Sequence, residues 1–399
     1  MRRALLAAAL AAAALLAAAD PRALFSEIGR DLAELSRITG LKLHRQVPYD
    51  TITRQKVNEY LKQKVKEEVK PEELRAEELA LKKFGFVPQD FDLVKSTVDL
   101  LTEQAAAFYD FRKKRLFVAD WGSSAMQQVA LVHELAHALA DQNFHLERFI
   151  KAAGKSDDGS LARMAVMEGQ ASWLMSEVMA RRMGQSLAST PGLEEQVERM
   201  AGSAGSEYPE FEKSPLYIRE TLMFPYTKGM LFQHAVYRKM GQAAFSEVFR
   251  RAPQSTQQIL HPEKYFERLA PAAPMAPAVP KDFSTLAEGT VGELDHSILL
   301  RQYTGKETAD EVAPRWRGGA YRIAERKTDR RAVLAYASQW DSPETARRFF
   351  ALYQRVLKQK WKQMSVRRQS PEALEGTGDD GNFVLRVEGA VVSSLEGLP

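Results

Sequence analysis

Along residues 20–104, apolar side chains recur at three- and four-residue spacing, the period of an amphipathic helix, with interruptions at Gly40, Pro48, Pro71, Gly85 and Pro88. The pattern predicts a mainly helical segment whose heavily charged stretch, Arg54 to Lys70, lies on the surface. The period then changes to two. Ala105 to Phe111 and Arg115 to Ala119 read as short strands joined across Arg112-Lys113-Lys114, with Tyr109, Phe111, Leu116 and Val118 as β-formers. Helical periodicity returns with Ser123 or Ser124 as cap and continues to about Asn143. A polar break, Asp157-Asp158-Gly159-Ser160, precedes a second strong helix from Leu161 to Met183, stopped by Gly184. Shorter helices are predicted over Leu193–Met200, Pro215–Met223, Thr227–Met240 and Ala243–Arg251.

The stretch Pro271 to Pro280 holds four prolines among small residues, a composition that forms neither helix nor inner strand and favours an extended spacer. A domain boundary is placed there, with residues 20–270 before it, a linker over 271–281 and a second unit over 282–399. Beyond the linker the pattern is mixed. It predicts a helix near Val291–Tyr303, strands around Gly319–Ile323 and Ala332–Gln339, a helix over Pro343–Trp361 and a strand near Asn382–Leu395. That is a small α+β domain with helices on an antiparallel sheet, and the chain as a whole is expected to be α+β. The basic run Lys358, Lys360, Lys362, Arg367 and Arg368 reads as a solvated helix end.

The first 19 residues change the picture of where the chain works. Met1-Arg2-Arg3, an alanine- and leucine-rich run to Leu16 and the small residues Ala17-Ala18-Ala19 have the form of a secretory signal, so a periplasmic or extracellular protein is expected. The apolar run falls short of the roughly 20 residues that cross a bilayer, and no permanent membrane span is expected. There is no cysteine, which excludes a disulfide framework. A net charge of +4, part of it from Arg2 and Arg3, is too small to argue for nucleic acid.

The chemistry is concentrated in one helix. His133-Glu134-Leu135-Ala136-His137 is an HExxH motif in a chain with seven histidines. Side chains four apart return to one face of a helix, so both imidazoles can grip one ion, while Glu134, one residue off that axis, is placed to hold and deprotonate a water at the metal. A catalytic zinc usually has three protein ligands. Glu168 is the candidate for the third, because it sits in the apolar run Ala165-Val166-Met167-Glu168-Gly169-Gln170-Ala171, where a buried carboxylate needs a partner. Gly169 and Ala171 would let its helix approach the His helix. Pairing of Glu168 with Arg163 is the competing arrangement. Asp141 falls about 12 Å along the axis from His133 and suits a supporting role better than ligation. Ala140 and Asn143 stand where a metzincin has Gly and His, so that family is excluded.

The HExxH helix followed by a separate helix donating Glu resembles the gluzincins, the thermolysin-like branch of the zinc metallopeptidases, over roughly Ala105 to Met183. The strings HELAHALADQNFHLE and STQQILHPEKY, the latter from Ser255 to Tyr265, are also similar to poorly characterised bacterial envelope HExxH proteins. The resemblance implies a zincin-like catalytic domain, Zn2+ held by His133, His137 and Glu168, Glu134 as general base, and a peptide or protein substrate. One departure is Ser172, where thermolysin-like enzymes carry an Asp that supports the first histidine. Tyr226 and His261 are candidate donors to the oxyanion, and the hairpin before the metal helix is a candidate edge for an extended substrate. The rival expectation is a non-catalytic envelope protein that keeps the fold and binds an unidentified envelope partner through its C-terminal domain.

Overall fold

A computed structural model describes residues 26–68, 70–104, 107–121, 124–203 and 208–399. The expected signal segment and the alternative cap Ser123 lie outside them. The fold is α+β: a large helical N-terminal region and a C-terminal antiparallel sheet.

The first helices are α1 (Ile28–Thr39), α2 (Arg54–Glu68), α3 (Pro71–Phe84) and α4 (Leu93–Gln104), with a short strand β1 (Tyr49–Ile52) that periodicity had assigned to the helical segment. β1 pairs in parallel with β3 (Arg115–Ala119), which pairs antiparallel with β2 (Ala107–Asp110), in the order β1-β3-β2. The predicted hairpin is therefore present. Its turn is held by the Asp110 carboxylate, which accepts the N–H groups of Arg112 and Lys113 at 2.9 and 3.0 Å. Then α5 (Ser124–Phe144) carries the HExxH motif, and every residue from Ala130 to Asp141 is buried. A helix buried on all sides needs cover on all sides, and α1, β2, β3 and α7 supply it.

After the short α6 (Leu146–Lys151) comes α7 (Asp157–Arg182), which starts four residues earlier than its apolar pattern suggests. Ser156 caps it by accepting the Gly159 N–H at 2.9 Å, and Asp157 and Asp158 complement the helix dipole in the first turn, so the polar "break" is a helix start. Following α8 (Leu193–Ser203) and α9 (Pro209–Lys213), α10 (Leu216–Met240) is one helix where two were expected. Pro225 lies inside it. An internal proline costs about 3 kcal/mol. Burial of Tyr217, Ile218, Leu222, Phe224, Tyr226, Met230, Phe232 and Val236, at about 1.5–3 kcal/mol for each large apolar side chain, outweighs that.

Gly169 does not serve the approach to the His helix. It lies against Gly229 of α10, so closely that a Cβ there would stand 2.1 Å from the Gly229 carbonyl carbon. With Trp173 Nε1 donating to His234 Nδ1 at 3.2 Å further on, α7 and α10 run parallel in close contact.

Helices α11 (Ala244–Arg250), α12 (Thr256–Leu260) and α13 (Pro262–Phe266) lead to the extended proline-rich segment, whose Ala272 N–H is donated to Arg317 O at 2.6 Å. The rest is a seven-stranded antiparallel sheet, ordered β4-β5-β6-β10-β9-β8-β7. Its strands are β4 (Phe283–Thr290), β5 (Trp316–Arg326), β6 (Ala332–Trp340), β7 (Ser365–Gln369), β8 (Ala373–Gly378), β9 (Gly381–Glu388) and β10 (Val391–Leu398). Helices α14 (Glu293–Thr304), α15 (Lys306–Val312) and α16 (Pro343–Lys360) accompany it. The strand expected near Asn382–Leu395 is the hairpin β9–β10, and β4, β7 and β8 were not foreseen. Lys360 corrects the reading of its basic run as solvated. Its side chain is buried and paired with Glu396 at 2.6 Å.

One hydrophobic core crosses the proline-rich segment, joining Phe84, Phe86, Leu161, Ile218 and Phe232 to Ile298, Trp316, Tyr336, Phe349 and Val392. A second lies around α5 and includes Leu35, Leu116, Leu131, Leu135, Leu139 and Trp173. Among the described residues no helix is long and apolar enough to cross a membrane.

Candidate metal centre

The four-residue spacing in α5 brings His133 Nε2 and His137 Nε2 within 3.0 Å, and α7 places Glu168 Oε2 3.1 Å from each. All three side chains are buried. Two imidazole nitrogens and a carboxylate oxygen therefore converge on one point. Ligand atoms around a tetrahedral zinc with bonds of about 2.0–2.1 Å stand about 3.3 Å apart, so the triangle is within a few tenths of an ångström of what the ion requires. Arg163 does not compete for Glu168. Its guanidinium donates to Phe149 O at 3.1 Å and covers the Phe149 ring.

Glu134 meets the hairpin. Its Oε2 accepts the Tyr109 backbone N–H at 2.7 Å, while its Oε1 is buried with no hydrogen-bond partner among the described residues. β2 is an edge strand, and Tyr109 N–H points away from β3 toward the catalytic candidate. Tyr109 lies in β2 and Phe111 in the turn that follows it, with their ring centres 5.5 Å apart. The Tyr109 hydroxyl bonds Asp141 Oδ2 at 3.1 Å, and the Phe111 ring centre lies 6.2 Å from that of His137. Sequence reasoning saw both only as β-formers, although their position before the motif helix carried the signal. Asp141 has the structural role favoured for it, also accepting from Lys114 Nζ at 2.7 Å and from Leu146 N–H at 3.1 Å.

The electrostatics follow from burial and crowding. Burial pushes the Glu134 carboxyl up to about 8, with His137 opposing and Glu168 adding to the rise. For Glu168 burial also acts upward, but His137 and the hydrogen bonds from both imidazoles outweigh it and hold the group down at about 2. Burial lowers His133 below the ordinary histidine range. It acts the same way on His137, where the Glu168 carboxylate beside the ring reverses the sign and raises it. Positive charge at the cluster would lower Glu134 as well, giving the ionised form that a general base needs.

Tyr226 is brought to the cluster from α10, its ring centre 6.1 Å from that of His133. His261 is not. Its Nε2 bonds Glu293 Oε1 at 2.7 Å, and its Nδ1 lies 3.7 Å from Glu263, so it serves the seam between the helical region and the sheet. The motif Leu260-His261-Pro262 gave no sign that the histidine caps a short helix facing the later domain. His145 is exposed in the turn after α5, with φ 54°.

The supporting shell differs from a thermolysin-like one where the sequence departs from it. His133 Nδ1 is buried with no hydrogen-bond partner among the described residues, and Ser172 stands one helical turn beyond Glu168. A metal-ligating histidine ordinarily donates its other ring N–H to a carboxylate or carbonyl, and among the described residues His133 has no such restraint on its ring orientation.

A family model described as a domain of unknown function, DUF8575, matches residues 281–399. Comparison with curated proteins found no match, and comparison with solved structures found none.

Proposed function

We propose that the chain is an exported zinc-dependent peptidase of gluzincin type, acting on a peptide or protein. The reading rests on one observation: His133, His137 and Glu168 converge within 3.1 Å in a buried site directly beside Glu134, whose Oε1 is unpartnered. A buried donor set of that kind is costly without a cation, and a purely structural site has no use for a general base. Zinc bound by the three residues would supply Lewis-acid polarisation and a water of near-neutral pKa. Glu134 would take the proton of that water at its free oxygen and pass it to the leaving amine. Tyr109 N–H fixes the other oxygen and limits rotation of the carboxylate. Phe111 and Tyr226 flank the imidazoles and exclude bulk water, and the Tyr226 hydroxyl is of suitable chemistry to donate to the oxyanion. An extended substrate would approach along the outer edge of β2, where Tyr109 N–H is already bonded to Glu134.

The unpartnered His133 Nδ1 supports a second reading, in which the fold retains the metal centre and works by binding. Glu134→Gln separates the two. With hydrolysis of a casein or peptide-library substrate as the assay, the enzyme reading expects turnover to fall by at least about a hundredfold, with metal content and fold kept. Unchanged turnover would remove Glu134 as the base, and no turnover by the wild type with its metal bound would favour the binding reading.

A further inference from the structure

The C-terminal domain grips α7 and α10, the helices that carry Glu168 and Tyr226, at their N-terminal ends. At the start of α7, Ser156 Oγ lies 3.2 Å from Thr290 Oγ1 at the end of β4, and the Asp158 N–H donates to the same oxygen at 3.1 Å. Tyr321 of β5 donates to Asp157 Oδ2 at 3.0 Å. The Asp158 carboxylate accepts the Thr256 N–H at 3.2 Å and its hydroxyl at 2.6 Å, and Thr256 Oγ1 in turn accepts the Leu294 N–H of α14 at 3.2 Å. At the start of α10, Tyr217 donates to Asp295 Oδ1 of α14 at 3.0 Å, and Glu220 pairs with Arg301 at 3.2 Å. Two glycines of the C-terminal domain make room for the acids. A Cβ on Gly289 would stand 2.0 Å from Asp157 Oδ2, and one on Gly292 1.7 Å from Asp158 Oδ1. Thr256 belongs to the string STQQILHPEKY, whose other polar members also turn to the seam. Gln257 donates to Glu293 Oε2 at 2.8 Å and to Trp316 O at 2.6 Å, and His261 meets the other Glu293 oxygen at 2.7 Å.

Asp158 and Tyr217 lie roughly 15 Å and 14 Å along α7 and α10 from Glu168 and Tyr226, at about 1.5 Å per residue. Over that length a helix carries a displacement of its end to its middle, and the two helices are locked side by side at Gly169 and Gly229. The histidine helix α5 is held instead by α1, β2, β3 and α7. An axial slip of α7 by one residue would move Glu168 by about 1.5 Å, enough to open a triangle of donor atoms whose sides are 3.0, 3.1 and 3.1 Å. We propose that the C-terminal domain is a positioning element of the metal centre: its grip on Asp157 and Asp158 sets the axial position of the helix that brings Glu168 to the two histidines. Asp158 and Thr256 are then positioning residues that act through α7. The inference rests on the metal-centre reading above and gives the C-terminal domain a part in that same site.

Zinc affinity of the full chain tests this without any substrate. It is read by competition with a chromophoric chelator, at a temperature where circular dichroism shows each variant folded. Gly292→Ala, whose Cβ displaces the Asp158 carboxylate, and Thr256→Val, which removes the hydroxyl that holds it, should each weaken zinc by at least about threefold. Thr256→Ser keeps the hydroxyl and should keep wild-type affinity. Lys360→Met supplies the control for stability alone. It breaks the buried pair with Glu396 in the same domain, away from α7 and α10, and should leave zinc affinity unchanged. If Gly292→Ala fails to fold, the Thr256 pair still decides the matter. Wild-type affinity in the folded seam variants, or a loss in Lys360→Met as large as theirs, would overturn the positioning role while leaving the metal centre standing. A wild type that binds no zinc would remove the metal-centre reading and this inference with it.

Discussion

The contact between Gly169 and Gly229 ties the fold to the candidate metal centre, because Gly169 is the residue after Glu168. A Cβ at position 169 would stand 2.1, 2.3 and 2.6 Å from the carbonyl carbon, oxygen and Cα of Gly229, all backbone atoms that no side-chain rotation can clear. Ordinary contact begins near 3.4 Å, so in Gly169→Ala the two helices must separate by about 1 Å. Overpacking of this kind costs about 3 kcal/mol at the upper end of its usual range. The helix propensity of alanine over glycine returns about 1 kcal/mol, leaving a net loss of about 2 kcal/mol. The displacement also carries the Glu168 carboxylate away from the two imidazoles, and a loss of zinc affinity of roughly tenfold is expected. Gly29 supplies the control. It lies in α1 with nothing within 4 Å of a built Cβ, so Gly29→Ala should stabilise by about 0.4–1 kcal/mol. Urea unfolding of the three proteins, with zinc titration beside it, reads both quantities. A Gly169→Ala protein as stable as the wild type would refute the close crossing and the positioning of Glu168 that depends on it.

Lys360→Met leaves Glu396 buried with the hydroxyls of Tyr353 and Ser394 but no cation, and should cost about 3–5 kcal/mol in urea unfolding; Lys360→Met combined with Glu396→Gln should recover much of it. Equal stability of wild type and single variant would contradict the buried pair. His296, enclosed between Gly292 O and the Tyr336 hydroxyl, is pushed down to about 4 by burial. The unfolded chain therefore binds a proton that the folded chain refuses between about pH 6.5 and 4. The stabilising contribution is fully present above about pH 6.5 and is lost as pH falls through the folded value, on the order of 3 kcal/mol in total. Unfolding free energies from pH 7.5 to 4 should show this slope, and His296→Gln should flatten it; an equally steep slope in the variant would remove His296 as its source.

Much of this was legible where local pattern and burial agree. The Tyr109–Val118 hairpin, the motif helix and the helix carrying Glu168 follow from periodicity, and the His133/His137/Glu168 convergence follows from spacing plus the cost of an unpaired carboxylate on an apolar face. What failed were features fixed by partners distant in sequence. β1 has a pairing partner more than sixty residues away, and its Tyr49, Asp50 and Thr51 are exposed, so no alternation marks it. β7 is exposed at every position and β8 contains two glycines, which leaves them without a strand signature. Pro225 ended a helix on local grounds, but the buried faces on either side continue it. Gly169 was assigned the wrong neighbour because spacing shows that a helix can be approached closely without showing by which other helix. His261 had the right chemistry for an active site and lay instead beside Glu293 in the seam, a placement that only the folding of the later domain onto the first creates.

The central claim is that His133, His137 and Glu168 hold one catalytic zinc. Elemental analysis of the purified protein beside His137→Ala and Glu168→Ala, each dialysed against the same zinc buffer, tests it most directly. The account predicts about one zinc per chain in the wild type and its loss or marked weakening in both variants. A wild type that takes up no zinc, or a Glu168→Ala protein that retains the full complement, would contradict it.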